Sequence, residues 1–169
     1  VLPISTVLAM ADVSSPVSTC FTQAIADLAS DNASTTFLSF ADSSIATRVT
    51  PRGDWSVFTT GRDGALVTCS RLQSSSDDPE SDVRITYRDE ETFAALMDET
   101  LGSAAAVATG RLRVLGSLKL ASASEELYAA AEALLRQQYG SAVVSAEEVL
   151  ALQRAEEEEL AAQLERRLA

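Results

Sequence analysis

The chain of 169 residues contains no histidine. That removes together the usual general base near neutral pH, the commonest metal-ligating ring and every Ser-His or Cys-His nucleophile pair. Lysine is nearly absent as well, Lys119 being the sole one, and 13 basic residues face 25 acidic ones for a net charge of −12. A surface of that sign repels phosphate backbones and anionic bilayers, so nucleic acid is excluded as a partner and polybasic membrane docking with it. Long apolar runs are also missing. The uncharged stretch Val1 to Ala11 is too short to span a bilayer and is broken by Pro3, Ser5 and Thr6, and no transmembrane segment is expected. The cysteines, Cys20 and Cys69, stand far apart in no metal-like spacing; two buried free thiols is the default reading, with a disulfide as its alternative.

Catalytic fingerprints are lacking too. GxGxxG, GxxxxGK[ST] and GxSxG do not occur, and the expectation is a chain that is not an enzyme and holds no cofactor or metal. Asp77, Asp78, Glu80 and Asp82 lack the spacing and glycine of a calcium loop and read as a solvated segment. Arg52-Gly53-Asp54 reads as a turn between strands, and Asn32-Ala33-Ser34 is a sequon that chance supplies often. The final residues, Arg166 to Ala169, are not a peroxisomal address. A soluble intracellular protein, or one in an organelle lumen after loss of a targeting segment, is the expectation.

What is present is enough apolar material, 46% of the chain, for one core. Residues 1–18 mix Ser, Pro and small apolar residues and read as an irregular arm with a short helix around Val7 to Ala11. Phe21, Ala24, Ile25 and Leu28 recur at helical spacing after Ser18 or Thr19, predicting a helix to about Ala29. Thr36 to Ala41 fits a strand or a helical turn equally. Three runs, Ser44 to Thr50, Trp55 to Thr60 and Ala65 to Leu72, are rich in β-branched or aromatic residues and joined by glycine-bearing turns, predicting an antiparallel meander. Val83 to Arg88 alternates apolar with polar residues as a fourth strand. Asp89 can cap a helix carrying Phe93, Leu96, Met97 and Leu101, and Arg111 to Leu115 forms a fifth strand stopped by Gly116. Ser124 can cap a helix from Glu125 to Tyr139, with Gly140 as its C-terminal cap. Ser145 and Glu148 then have capping-box spacing for a last, acidic helix. Its narrow stripe of Leu160, Leu164 and Leu168 suits a protein partner or the domain's flank, and its acidic polar face does not suit a membrane.

The block Asp82-Val83-Arg84-Ile85-Thr86-Tyr87, Asp89 to Met97 and Gly110-Arg111-Leu112-Arg113-Val114-Leu115-Gly116 resembles the sterol-carrier-protein family, in which an alternating strand leads to an acidic helix start followed by Phe, and a glycine-bounded strand comes after. The resemblance spans residues 19–140. It implies an α+β fold, a five-stranded, mainly antiparallel twisted sheet covered by helices, flanked here by the arm, 1–18, and an acidic amphipathic C-terminal helix, 141–169. It also implies an apolar cavity for a sterol, fatty acid or acyl-CoA, with lipid bound in place of a cofactor. Carried over by position, Phe93, Leu96, Met97, Val107, Leu112, Val114 and Leu118 are the lining expected. The same residues filling a closed core is the competing expectation, and an accessory subunit held in a larger complex by the arm and the last helix is the alternative function.

Overall fold

In the computed structural model, residues 2–30, 41–74 and 77–168 are described. The elements run α1 (Ile4–Met10), α2 (Val17–Ser30), β1 (Ser44–Val49), β2 (Trp55–Thr60), β3 (Leu66–Leu72), β4 (Val83–Tyr87), α3 (Glu90–Met97), α4 (Ser103–Ala108), β5 (Leu112–Gly116) and α5 (Leu118–Leu168). Most of Thr36 to Ala41 and the sequon at Asn32 lie outside the described residues.

The strands form one twisted sheet in the order β3-β2-β1-β4-β5. The β1-β2-β3 meander is antiparallel and so is β4-β5, but β1 and β4 run parallel, with Ile45 opposite Val83 and Val49 opposite Tyr87. The sheet is therefore mixed. Hairpin turns signal local antiparallel pairing, whereas a parallel pair between distant strands leaves no turn to read. Gly116 closes β5 with a φ of +107°, and a Cβ there would lie 2.4 Å from the Asp82 carbonyl oxygen, so only glycine fits against β4.

One face of the sheet carries the core. Ile45, Phe58, Val83, Ile85 and Tyr87 point toward α2, α3 and α5, which bring Phe21, Ile25, Phe93, Leu127 and Ala131. Phe93 sits at the centre of an aromatic cluster, edge-on to Tyr87 at 4.9 Å, Phe21 at 5.6 Å and Tyr128 at 5.7 Å between ring centroids. Such pairs add about 0.5–1.5 kcal/mol each beyond area burial.

The segment expected as an irregular arm with a short helix around Val7 to Ala11 carries that helix earlier, as α1, and is docked on the core. Ile4, Val7 and Leu8 share one helix face and are buried in the core, and Ser5 is bonded through its N–H and its hydroxyl to the Asp98 carboxylate at the end of α3. Ser18, the last residue assigned to the arm, lies in α2 and is bonded in the same way to Glu90. Neither segment is free to wrap a partner.

The small-residue stretch from Ser103 is α4, and Ala106 is fully buried. The largest departure is α5. It starts at Leu118, where the Ser117 hydroxyl accepts the Leu120 N–H at 3.2 Å, and it runs unbroken through Gly140 for 51 residues. Two helices capped at Ser124 and Gly140 were expected. One glycine inside a helix costs about 1 kcal/mol, small enough for a long continuous helix to carry. Leu127, Tyr128, Ala131, Leu134, Leu135 and Tyr139 pack on the core. Beyond it Glu148 to Leu168 is exposed at every described side chain except Ala162, and the last 28 residues extend about 42 Å at 1.5 Å per residue.

Candidate functional site

The helix-facing side of the sheet is unevenly covered. Over β1, β2 and β3 this face changes from Ile45, Phe58 and Cys69 to Thr47, Ser56 and Arg71 one pair further along, and short polar side chains cannot fill the space beneath a helix. A half-open cavity of about 450 Å³ results. Phe93 of α3 and Tyr128 of α5 form its inner wall with Thr47 and Cys69, while Ser18, Thr22 and Ala26 of α2 form the roof. Asp54, Arg71 and Glu90 stand around it.

The polar groups are held in place by partners. Arg71 bonds Asp54 at 2.7 Å, while on the opposite face of the sheet the Arg48 guanidinium lies 4.3 Å from the centre of the Trp55 ring and donates to the Thr86 hydroxyl at 3.2 Å. The Ser74 N–H, followed by Arg71, holds the Asp54 carboxyl below its usual range. Burial raises the Tyr128 phenol, opposed by hydrogen bonds with Thr47 and Tyr87, and burial raises the Tyr87 phenol well above its usual range. Both cysteines are free thiols, and burial pushes Cys69 up to about 11. A thiol so shifted is protonated at neutral pH and is a poor nucleophile. No group of three or more potential ligands that could hold a metal occurs among the described residues. The arrangement offers hydroxyls, a guanidinium rim and an aromatic wall, the chemistry of binding.

Of the lining expected from sequence, Phe93 reaches this cavity. Leu96, Met97, Leu112 and Val114 pack against the core cluster as partly buried side chains. Val107 and Leu118 are 51% and 73% exposed and stand apart from the lining of this cavity. α4 turns Val107 outward while Ala106 faces in, and Leu118 belongs to the first turn of α5, beyond the last strand. The α2 roof and the Thr47, Ser56 and Arg71 patch were missed, since apolar periodicity marks what is filled and polar strand positions looked like a wet face.

The mixed sheet and its covering helices can be set beside known folds. They resemble sterol carrier proteins. A structure of sterol carrier protein 2 matches 66% of this chain and 93% of its own at 22% identity, with a TM-score of 0.47. A conserved hypothetical protein from Thermus thermophilus matches 70% of this chain and 88% of its own at 20% identity, with a TM-score of 0.48. A variant of a sec-alkyl sulfatase is matched over 12% of its length and 48% of this chain, at 19% identity and a TM-score of 0.40. No family model matches the chain. No curated protein matches it either. No helix among the described residues is long and apolar enough to cross a membrane.

Proposed function

We propose that the chain binds an amphipathic lipid, a fatty-acyl or sterol-like molecule, between α2 and the sheet, without catalysing a reaction on it. The observation that carries this is the cavity of about 450 Å³ walled by Phe93 and Tyr128, which is within the usual size range of small-molecule sites. Its mixed lining favours a ligand with a polar end over a bare hydrocarbon, because hydroxyls facing a hydrocarbon lose their hydrogen bonds to water without replacement.

The test is native mass spectrometry of protein purified without detergent, with lipid identification on the same sample and displacement of a fluorescent fatty-acyl probe. The Ala26→Trp variant places an indole in the roof while keeping a helix-compatible residue. A lipid adduct in the wild type, with probe affinity at least about tenfold weaker in the variant, supports the reading. Absence of both lipid and displacement sinks it.

One observation favours a second reading, an accessory subunit held through its C-terminal helix. Leu160, Leu164 and Leu168 are 61%, 53% and 86% exposed on a segment that contributes no residue to the core among the described residues. Because α1 and Ser18 are engaged with α3, this reading keeps the helix and drops the arm.

A further inference from the structure

The sheet has a second face, directed away from the helices. The register places on it Ala46 and Arg48 of β1, Val57 of β2, Arg84 and Thr86 of β4, and Arg113 and Leu115 of β5. Trp55, Thr59, Thr68, Ser70 and Leu72 complete it on β2 and β3, so none of the chain's 25 carboxylates stands on a strand position of this face. In a chain of net charge −12 that is a local reversal of sign. Arg48 and Arg113 form no ion pair among the described residues, and Leu115 is 42% exposed between Arg84 and Arg113. Arg84 is bonded to Asp78 of the neighbouring loop at 3.1 Å, an exposed pair worth little.

The projecting half of α5 is the counterpart. At 100° per residue Leu150, Leu160, Leu164 and Leu168 fall within an arc of about 80°, with Glu157 inside it, Glu156 on one flank and Glu158 and Glu165 on the other. Leu150 to Leu164 spans about 21 Å, and five strands span about 19 Å. Since α5 is one continuous helix lying on the opposite face, it cannot bend back onto its own arginines. The surface it matches belongs to another molecule.

We propose that two copies of the chain exchange their C-terminal helices, each laying the Leu150 to Leu164 stripe on the outer sheet face of the other, with Glu156, Glu157 and Glu158 against Arg48, Arg84 and Arg113. A helix layer then covers the exposed side chains of the outer sheet face, Arg113 and Leu115 among them, and the reciprocal contact closes as a twofold dimer. This narrows the second reading by naming the partner, and it is independent of lipid binding because its readout is mass.

The test is analytical ultracentrifugation of the full chain and two charge-reversal variants, Arg84→Glu/Arg113→Glu and Glu156→Lys/Glu157→Lys, each checked for folding by circular dichroism. The wild type is expected at twice the 17.9 kDa chain mass. Each variant alone should dimerise at least about tenfold more weakly, and mixing them should restore the dimer, since both contacts again join opposite charges. A monomeric wild type at micromolar concentration overturns the proposal while leaving an accessory role with a different partner open. A sheet variant that still dimerises overturns it in favour of helices pairing with one another.

Discussion

Replacing Phe93 by alanine tests the core and the cavity together. The ring is 3% exposed, lies between Tyr87, Phe21 and Tyr128, and forms part of the cavity wall. Phe→Ala in a sealed core costs about 3–5 kcal/mol, a sum of lost transfer energy and the vacancy left behind. Here the vacancy opens into a half-open cavity that water or lipid can enter. The cost should therefore fall at the lower end, about 3–4 kcal/mol, still a large fraction of the about 5–15 kcal/mol available to a domain. With a urea slope of about 2 kcal/mol per M, the midpoint drops by about 1.5–2 M. The assay is urea unfolding followed by Trp55 fluorescence and by helix circular dichroism, fitted with a common slope. Added fatty acid should restore more stability to the variant than to the wild type, because the ligand fills the vacated volume and binds only the folded state. A loss under about 1.5 kcal/mol, or equal restoration in both proteins, would refute the placement of this ring between core and cavity.

Asp89 caps α3 by accepting the Thr92 N–H at 2.8 Å, and hydrogen bonding from the Thr92 hydroxyl, followed by that N–H, holds its carboxyl at about 2 against an ordinary 3.8. The contribution is present above pH 3.8 and is lost as pH falls through about 2. The side chain is 40% exposed, so the cap is worth less than the shift suggests. Asp89→Ala should cost about 1 kcal/mol and about 2–4 °C in Tm at neutral pH. The two melting curves should converge on acidification, and a difference that persists at pH 2 contradicts the assignment. Gly140→Ala should stabilise by about 0.5–1 kcal/mol and raise helicity, since Gly140 lies inside α5 with open space where its Cβ would be. A destabilised variant would mean a left-handed cap at that position and two separate helices.

The strands were legible because their signals are local. Trp55 to Thr60 matches β2 residue for residue, and Val83 to Tyr87 shows its alternation directly in its burial. Asp89 announced α3 through cap chemistry that needs no tertiary partner. Two kinds of feature were hidden. A glycine between helical patterns is a stop or a tolerated interior residue depending on what packs beside it, and Gly140 follows directly on Tyr139, the last core contact among the described side chains. The cavity is the space α2 leaves over Thr47, Ser56 and Arg71, and no periodicity in one segment reports the distance to another. Phe93 was found because it belongs to the core as much as to the cavity.

The parallel pairing of β1 with β4 also divides the molecule in time. Everything from α2 to β3 can form by neighbour-to-neighbour closure, and β4, α3, α4 and β5 can do the same. The two halves join through strands 38 residues apart, Ile45 against Val83 and Val49 against Tyr87, and closing a loop of that length precedes any reward from the contacts it creates. The β1-β4 seam is thus expected to form after the hairpins on either side of it, and α1 and α2, docked on α3 and α5 across still longer separations, are the clasp that keeps it shut once formed.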